Sequence, residues 1–349
     1  MPNLVVLTEQ LLAPVPGGTG RYTRELAAAL ARTAPAGWTV EGVVSRRSDV
    51  AGAEVPGVLG PRVLALPRRA LIGAWEYGAP IPVGGDAVHA PTPLAPPRGA
   101  VVTVHDTVPW SHPETLTPRG AAWHRKVIGR AMRHAKAVVV PTRAVADELA
   151  RCAPGPAPVH VVGHGVTEFP PEREVEVPAR YVLAVGTVEP RKGFGDLVRA
   201  TAALGVPLVV VGPPGWGAVD LRAPHVRLLG RLTDAELAFV LRRAAVLAAP
   251  SLSEGFGLPV LEAMAAGVPV VHSDAPALVE VAGGAGLAVS RGSVPALAEA
   301  LRAVLSDESL SGRMVTEGRL RAQAFTWENA AETVWAIHLT RPGETSIRQ

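Results

Sequence analysis

The sequence predicts an α/β protein made of two doubly wound, Rossmann-like domains of similar size that face each other across a central cleft. Short β-branched runs alternate with helical stretches along the chain, which is typical of parallel βαβ units. The alternation breaks once, at residues 168–180 (EFPPEREVEVPAR), where proline and charge accumulate, and then restarts. At 349 residues, the chain is long enough for two domains of ordinary size.

The first half is predicted to contain six buried strands and two helices. We expect the strands at residues 4–8, 40–44, 87–89, 100–105, 137–141 and 159–162. We expect the helices at residues 20–33 and 118–134. Residues 1–167 are therefore assigned to an N-terminal domain, and residues 168–180 to a linker.

The second half repeats this pattern over residues 181–325. We expect its strands at residues 181–185, 208–211, 226–229, 246–249, 269–272 and 286–289. We expect its helices at residues 194–204, 234–243, 259–266, 275–282 and 295–306. A terminal helix at 327–339 follows Thr326, a suitable N-cap, and we expect the segment 326–349 to pack back on the N-terminal domain.

The composition is typical of a folded protein without internal disulfides. Hydrophobic residues make up 48% of the chain and charged residues 19%, which permits a large core and excludes global disorder. The single cysteine, Cys152, excludes an internal disulfide framework and favours a reducing compartment. The first ten residues do not resemble a signal peptide, and no apolar run is long enough to span a bilayer. We therefore expect a cytoplasmic protein.

The charge is unevenly distributed. Residues 1–165 carry 17 Lys/Arg and 11 Asp/Glu, whereas residues 166–349 carry 17 and 20, so the basic excess lies in the first half. Four cations share one face of the helix predicted at 118–134, namely Arg119, Lys126, Arg130 and Arg133. This stripe has two interpretations, a peripheral contact with the inner face of the membrane or an ordinary solvated face. No basic-aromatic module accompanies the excess, so no nucleic acid partner is expected.

The strongest motif is SLSEGFGLPVLEAMAAGVPVV at residues 251–271, after a predicted strand and at the start of a predicted helix. Gly255 and Gly257 allow a close approach of the backbone to a ligand, and the start of a helix favours an anion. Glu254 precedes the helix and Glu262 lies within it. Two carboxylates at this spacing can accept hydrogen bonds from hydroxyls at two ends of an elongated ligand.

These residues resemble the E-x7-E motif of retaining glycosyltransferases with the GT-B fold, and the chain is most similar to glycosyltransferase family 4. The resemblance implies that Glu262 binds the ribose of a nucleotide-sugar donor. It implies that Glu254, Gly255, Phe256 and Gly257 hold the transferred sugar and the phosphate. Leu258, at the start of the helix, is assigned to the same donor site, and the N-terminal domain becomes the acceptor side.

A second motif, VGTVEPRKG at residues 185–193, follows the first strand of the second half. Arg191 and Lys192 lie at the carboxyl end of that strand, where two cations could bind a diphosphate and stabilise a leaving group. The motif is similar to the phosphate-binding segment of family 4. Glu189 is a further candidate, and its role could be limited to positioning the loop.

A third motif, PGGTGRY at residues 16–22, lies between the first strand and the first helix. Gly17 and Gly18 suit a loop whose amides contact the donor diphosphate. The motif does not match the dinucleotide fingerprint G-x-G-x-x-G. It resembles the corresponding loop of several members of the family, including bacterial mannosyltransferases.

Three further residues are candidates: His105 is assigned to the catalytic group, Arg231 to donor binding, and Asp106 is a secondary candidate beside His105. His105 and Asp106 end the strand at 100–105, and the family often has a histidine there near the transferred sugar. The alternative is a buried structural His–Asp pair. Arg231 follows the strand at 226–229 and either lines the nucleobase pocket or belongs to a plain turn.

The resemblance implies a retaining transferase in which the departing phosphate deprotonates the acceptor hydroxyl. The sequence has no Asp-x-Asp triplet and no zinc-spaced His/Cys cluster, so neither a metal nor another cofactor is expected. GDP-mannose is the favoured donor, and UDP- and dTDP-linked sugars remain open. The acceptor is a glycan, a lipid-linked sugar or a small molecule. Two other functions stay open, a nucleotide-sugar epimerase or hydrolase and a non-catalytic nucleotide-sugar-binding protein.

Overall fold

The structure is a computed structural model that describes residues 1–215, 217 and 219–340. The chain divides into two compact units. Unit 1 comprises Met1–Trp110, Pro118–Gly165 and the C-terminal segment from Thr326 onward, and unit 2 comprises Ser111–Thr117 and Val166–Phe325.

Unit 1 contains a seven-stranded parallel sheet in the order β3-β2-β1-β4-β5-β6-β7. Its strands are β1 (Asn3–Leu7), β2 (Thr39–Arg46), β3 (Leu59–Pro67), β4 (Ala87–Ala90), β5 (Val101–Thr103), β6 (Ala137–Val140) and β7 (Val159–Val161). The helices are α1 (Gly17–Arg32), α2 (Arg68–Glu76), α3 (Val108–Ser111), α4 (Pro118–His134) and α5 (Arg143–Cys152), with α3 at the boundary with unit 2. The central strands are short valine-rich runs because both faces of the sheet are covered; β6, for example, is buried throughout.

Unit 2 contains a six-stranded parallel sheet in the order β10-β9-β8-β11-β12-β13. Its strands are β8 (Val182–Val185), β9 (Leu208–Val211), β10 (Val226–Gly230), β11 (Val246–Ala249), β12 (Val270–Ser273) and β13 (Leu287–Val289). Its helices are α6 (Phe194–Leu204), α7 (Asp234–Arg242), α8 (Leu258–Ala266), α9 (Pro276–Ala282), α10 (Val294–Ser306) and α11 (Glu308–Gln323). Each of its six strands corresponds to a strand expected from the sequence.

Each sheet has one point at which the strand order reverses. In unit 1 it lies between β1 and β4, and in unit 2 between β8 and β11. At such a point the loops that follow the two neighbouring strands diverge to opposite faces of the sheet, which leaves a crevice at the carboxyl ends of the strands. The motifs at 16–22, 185–193 and 251–271 all follow strands that border these two points.

The last described helix, α12 (Trp327–Leu339), belongs to unit 1. Thr326 caps it by accepting a hydrogen bond from the amide of Asn329 at 3.1 Å. The indole of Trp335 donates to the carbonyl of Leu30 on α1 at 3.0 Å and is itself buried. The apolar face of α12 therefore packs on α1, and the indole N–H of Trp335 within that face has a hydrogen-bond partner. Of the expected terminal segment 326–349, residues 341–349 lie outside the described residues.

The segment expected to be a linker is part of unit 2 from Val166 onward. Glu172 explains why, since its carboxylate accepts hydrogen bonds from Arg242 at 2.9 Å and Arg243 at 2.5 Å, beside the end of α7. These ion pairs oppose detachment of the segment from α7. The hydrogen bonds from Arg242 and Arg243 also lower the pKa of Glu172. The change of unit occurs at Gly165, a few residues before the predicted linker begins.

The basic stripe of α4 is partly engaged within unit 1. Lys126 donates to Glu76 at 3.1 Å and lies 4.0 Å above the ring of Tyr77, and Arg130 donates to the carbonyl of Trp75. Two of its four cations therefore have intramolecular partners at the end of α2. Among the described residues, we find no helix with both the length and the apolar content needed to cross a membrane.

Candidate active site

Three of the candidate residues of unit 2 meet at the point where its strand order reverses. Arg191 and Lys192 lie in the loop between β8 and α6, and Glu254 lies in the loop between β11 and α8. Because β8 and β11 are neighbours in the sheet, their carboxyl-end loops are adjacent. Residues more than 60 positions apart are thus brought into contact.

Glu254 is the centre of this cluster. Its Oε1 accepts hydrogen bonds from Lys192 Nζ at 2.6 Å and from Ser251 Oγ at 2.7 Å. Its Oε2 lies 3.4 Å from Nη1 of Arg191. The side chains of Lys192, Arg191 and Glu254 are only 14%, 13% and 11% exposed, so water screens their charges weakly.

Arg191 links the two loops through its guanidinium and its backbone. Nη2 donates to Glu189 at 2.6 Å, and Nη1 donates to the carbonyl of Ser253 at 2.7 Å. The carbonyl of Arg191 accepts from the amide of Leu252 at 2.7 Å. Glu189, 3% exposed, therefore pairs with Arg191 within the loop.

The cluster keeps Glu254 ionised. Burial raises the pKa of this carboxyl, but the neighbouring charges of Lys192 and Arg191 and the hydrogen bonds from Lys192 and Ser251 outweigh burial and lower it to about 2. Around neutral pH the site therefore holds one carboxylate between two cations. An additional anion at this position would meet two positive charges and one negative charge.

Two glycines give the loops their shape. Gly257 caps α8 with φ of +96°, and a Cβ on it would lie 2.4 Å from Cδ2 of Leu278. Gly193 has φ of +67°, and a Cβ there would lie 2.3 Å from the carbonyl oxygen of Pro250. At both positions the positive φ disfavours any residue with a Cβ, and an added Cβ would also clash with a neighbouring atom. The two loops approach each other because Gly193 has no side chain.

The remaining candidates of this motif line the start of α8. Gly255, Phe256 and Leu258 are buried, and Phe256 packs edge-on against Phe325 at 5.8 Å between ring centroids. Glu262 lies on the second turn of α8 and is 4% exposed. A narrow crevice that opens to solvent is bordered by Glu254, by Gly257 and by residues at the carboxyl ends of β8 and β11.

In unit 1, His105 lies in a cluster of rings rather than in a charged network. It follows β5, its Nε2 lies 2.8 Å from the carbonyl oxygen of Pro91, and its ring meets that of Tyr22 edge-on at 4.7 Å. Since a carbonyl only accepts hydrogen bonds, Nε2 carries the proton of the neutral ring. His164 lies 4.6 Å from Tyr22 and stacks on Trp327 at 5.9 Å. Burial lowers the pKa of His105 and of His164.

Among the described residues, the other candidates make no hydrogen bond to these clusters. Asp106 acts on His105 through its charge, which opposes the lowering of the pKa of His105 by burial. Gly17 and Gly18 are exposed at the start of α1, after β1. Asp106 caps the following turn by accepting from the amide of Val108 at 3.1 Å, which is a structural role. Arg231 is exposed after β10, and β9 separates that strand from β8.

Sequence reasoning did not select Ser251 as a site residue, although its hydroxyl binds Glu254. Its position two residues after the end of β11 and three residues before Glu254 was the available signal. It also did not select the buried contacts of His89, which lies 3.4 Å from the hydroxyl of Thr103 and 3.3 Å from His338 on α12. No sequence signal indicates this pair because its members are 249 residues apart.

Two family models match successive parts of the chain. The model described as Glycosyltransferase Family 4 matches residues 16–168. The model described as Glycosyl transferases group 1 matches residues 179–307. Together they match most of both units and include the motifs at 16–22, 185–193 and 251–271.

Several bacterial mannosyltransferases are similar to the chain. It is 36% identical over 174 residues to the O-antigen chain mannosyltransferase B of Escherichia coli, which is 46% of each protein. It is 32% identical over 266 residues to the MMP alpha-(1->4)-mannosyltransferase of Mycolicibacterium hassiacum, 68% of this chain and 64% of that protein. It is 35% identical over 164 residues to the phosphatidyl-myo-inositol mannosyltransferase of Mycobacterium leprae, 44% of each. The chain thus spans between about half and two thirds of the length of these relatives.

Solved structures with the same fold cover almost the whole chain. The sucrose-phosphate synthase of Thermosynechococcus elongatus has a TM-score of 0.74 at 23% identity, over 97% of this chain and 98% of that one. HepE of Anabaena, solved in complex with UDP and glucose, has a TM-score of 0.72 at 18% identity, over 96% and 99%. These likenesses confirm the predicted GT-B fold, with its two parallel-sheet α/β domains.

Proposed function

We propose that this chain, which belongs to glycosyltransferase family 4, transfers a hexose from a nucleoside diphosphate sugar to a glycan, a lipid-linked sugar or a small molecule, with retention of configuration and without a metal. The observation that carries the proposal is the contact of Arg191, Lys192 and Glu254 at the point where the strand order of unit 2 reverses. That point is the ligand crevice of doubly wound sheets. The two family models support the same assignment.

The cluster has the charges that a diphosphate leaving group needs. Lys192 carries three N–H donors, of which its hydrogen bond to Glu254 takes one. Charge-assisted hydrogen bonds from Lys192 and Arg191 to phosphate oxygens become stronger as the sugar–phosphate bond breaks. The carboxylate of Glu254 keeps both cations ordered before the donor binds, so little reorganisation is required.

In the proposed reaction, the bond between the anomeric carbon and the phosphate oxygen breaks, and the acceptor oxygen bonds to the same face of that carbon. The proton of the acceptor hydroxyl passes to the departing phosphate oxygen. We assign Glu262 to the ribose hydroxyls, and Gly255, Phe256, Gly257 and Leu258 to the donor sugar and phosphate. We assign the amides of Gly17 and Gly18 to the donor diphosphate and His105 to the transferred sugar. Two further candidates are Asp106, beside His105, and Arg231, for the nucleobase.

The donor we favour is GDP-mannose. The support comes from the relatives, since three of those with 32–36% identity are described as mannosyltransferases. HepE is described in complex with UDP and glucose, so a UDP-linked sugar is the principal alternative, and a dTDP-linked sugar is the next. We also propose a cytoplasmic protein in which the basic stripe of α4 is a solvated face, since Lys126 and Arg130 already bind partners at the end of α2.

A thermal-shift series with GDP, UDP, dTDP and ADP tests the donor site. A nucleotide present at 100 times its dissociation constant stabilises a protein by roughly 2.7 kcal/mol. We expect the largest shift with GDP, and its loss in Glu262→Gln. If none of the four nucleotides stabilises the chain, the proposed function is wrong.

The reaction itself is tested by incubating the chain with the preferred donor sugar and a panel of acceptors. A new glycoside with the anomeric configuration of the donor supports a retaining transferase. Release of free sugar or of an epimer without an acceptor indicates a hydrolase or an epimerase instead. Tight nucleotide binding with no turnover of any kind indicates a binding protein.

A further inference from the structure

The ring of Phe325, the last residue of unit 2, packs against residues 254–257, which we call the donor loop. It meets the ring of Phe256 edge-on, with 5.8 Å between the centroids and 74° between the planes. Phe256 is 4% exposed and lies between two glycines whose backbone is assigned to the donor sugar and phosphate. The proposed function gives no role to Phe325.

The backbone of Phe325 is held on both sides. Its amide donates to the carbonyl of Ala322 at 3.0 Å, at the end of α11, and its carbonyl accepts from the amide of Val166 at 3.0 Å. Val166 begins the long segment of unit 2 that Phe325 ends. The ring is therefore attached to a point of the backbone that cannot shift without breaking one of these hydrogen bonds.

Arg321 fixes the ring of Phe325 relative to α9. Its guanidinium carbon lies over that ring at 4.8 Å from the centroid. Its Nε donates to the carbonyl of Val281 at 2.9 Å, and Nη2 donates to the carbonyl of Glu280 at 2.8 Å, in the last turn of α9. Gly283 leaves space for this side chain, since a Cβ there would lie 2.7 Å from Nε of Arg321.

The helix α9 also borders the donor loop directly. Leu278 on α9 is fully buried, and its Cδ2 would lie only 2.4 Å from a Cβ on Gly257. The helix thus contacts the loop directly at Gly257 and, through Arg321 and the ring of Phe325, also at the preceding residue. A shift of either loop residue therefore disturbs contacts that lead back to α9.

The donor loop depends on such contacts for its rigidity. Gly255 and Gly257 flank Phe256, and glycine permits many backbone conformations. Backbone amides stabilise a developing anion best when they are held in place before the reaction. The packing of Phe256 on Phe325 restricts the loop at the one residue between the two glycines.

We infer from these contacts that Phe325 is a positioning residue of the donor site, which holds Phe256 and so keeps residues 255–257 in place for the phosphate that carries the sugar. The inference rests on the proposed function, since it deepens the assignment of this loop to the donor. Phe325 acts through Phe256 and not by contact with the donor. A nucleoside diphosphate has the sugar-bearing phosphate and a monophosphate lacks it, so the ratio of their affinities reports on this loop.

The test uses the full chain and Phe325→Leu, which removes the ring and keeps an apolar side chain. The matched control is Phe239→Leu on α7, another partly buried phenylalanine of unit 2, whose ring lies 3.7 Å from the guanidinium carbon of Arg243. Calorimetry measures the affinities for GDP and GMP, or for UDP and UMP if the thermal-shift series ranks UDP first. Circular dichroism checks folding, and Phe325→Met replaces the leucine variant if that one does not fold.

We expect Phe325→Leu to bind GDP about 3- to 10-fold more weakly than the wild type, as for the loss of an aromatic pair, and to bind GMP with unchanged affinity. Phe239→Leu should bind both nucleotides like the wild type. Phe325→Tyr keeps the ring and should keep the wild-type ratio. A purely structural role would weaken GDP and GMP alike, and that result, an unchanged ratio in Phe325→Leu, or a tyrosine variant that behaves like the leucine variant overturns the inference.

A double-mutant cycle tests whether Phe325 acts through Phe256. If it does, Phe256→Leu combined with Phe325→Leu should lose no more affinity for GDP than the more severe single variant. Losses that multiply in the double variant would show that the two rings act independently, and the inference would be wrong.

The wild type distinguishes this inference from the proposed function. If no nucleotide binds to the wild type, the proposed function fails. If the wild type binds GDP more tightly than GMP and Phe325→Leu keeps the same preference, only the inference fails. If the wild type binds the two equally, residues 255–257 do not hold the sugar-bearing phosphate, and the inference is wrong together with that assignment.

Discussion

Lys192 donates a 2.6 Å hydrogen bond to Glu254 across the loops of two neighbouring strands, in a position where both side chains are largely buried. A cation that is already ordered and poorly hydrated interacts more strongly with an incoming phosphate than a flexible surface lysine does. The contact thus supplies part of the preorganisation that the proposed reaction requires.

Replacing Lys192 by alanine should lower the turnover of the donor by about 100-fold or more, which is the effect of removing one stabilising donor from a developing anion. Steady-state rates with the preferred donor measure this, and circular dichroism checks that the variant is folded. Arg199→Ala, which removes a cation from an exposed pair with Asp196 on α6, is the matched control and should retain activity. Near-normal turnover of the Lys192 variant would refute the role of this residue.

Glu254→Gln should change how stability depends on acid. Because the folded pKa of Glu254 is about 2 and its ordinary value is 4.5, its ionised form contributes stability above pH 4.5. That contribution is lost as the pH falls from 4.5 toward 2, at up to about 1.4 kcal/mol per pH unit. Urea unfolding at several pH values should show the wild type losing this contribution and the variant lacking it. If stability depended on pH in the same way in both proteins, the low pKa assigned to Glu254 would be wrong. The control is Glu317→Gln, on the exposed face of α11, which should keep the pH dependence of the wild type.

Gly257→Ala should destabilise the chain by about 1–3 kcal/mol, since φ is +96° and the new methyl group meets Leu278. Gly312→Ala should have the opposite effect. That glycine lies inside α11 with no atom within 4 Å of an added Cβ, so alanine gains up to about 1 kcal/mol of helix propensity. Thermal unfolding of the two variants tests both signs, and equal effects would show that the geometry at Gly257 is not constraining.

His164→Asn should make stability less sensitive to mild acid. Burial holds the pKa of His164 well below its ordinary 6.5, so the unfolded chain takes up a proton that the folded chain does not. Stability is therefore complete above pH 6.5 and falls as the pH falls below it, at up to about 1.4 kcal/mol per pH unit for this residue. Chemical unfolding at pH 7, 6 and 5 measures the slope. The slope should be smaller in the variant and unchanged in His134→Asn, an exposed position at the end of α4.

Chelation of divalent cations should leave the rate unchanged, because Arg191 and Lys192 supply the positive charge that a metal would otherwise bring to the diphosphate. The measurement compares donor turnover after EDTA treatment with turnover after addition of Mg²⁺ or Mn²⁺. A rate that vanishes with EDTA and returns with one of these ions would refute the metal-independent reaction.

The strands of unit 2 could be predicted from the sequence because they are short apolar runs, buried on both faces and bounded by loops. In unit 1, β3 could not be predicted in this way. It is an edge strand with mostly exposed residues, and it has a proline at its third position and another at its end, both of which weaken a strand pattern. The helix α11 was missed for a similar reason, since two glycines and a weakly amphipathic sequence obscure its period.

The candidate site was predictable where its residues are close in sequence, as in the motif from Glu254 to Glu262. Two partners of Glu254, Arg191 and Lys192, were proposed as site residues from a second motif. Their direct contact with Glu254 depends on β8 lying beside β11, which is a property of the strand order. The arrangement of His89 with His338 is of the same kind. Spacing in the sequence indicates which residues share a loop, and only the topology indicates which loops share an edge.

The return of α12 to unit 1 affects the order in which the chain can fold during synthesis. Unit 2 is almost entirely one continuous segment, from Val166 to Phe325, and the amide of Val166 binds the carbonyl of Phe325 at 3.0 Å, so its two ends are adjacent. Unit 1 cannot complete the packing of Tyr22 against Trp327, or of α1 against Trp335, until these two tryptophans have left the ribosome. On the ribosome, therefore, the unit that begins second in the sequence is the first to be completed, and the unit that begins first waits for the last helix with part of its core uncovered.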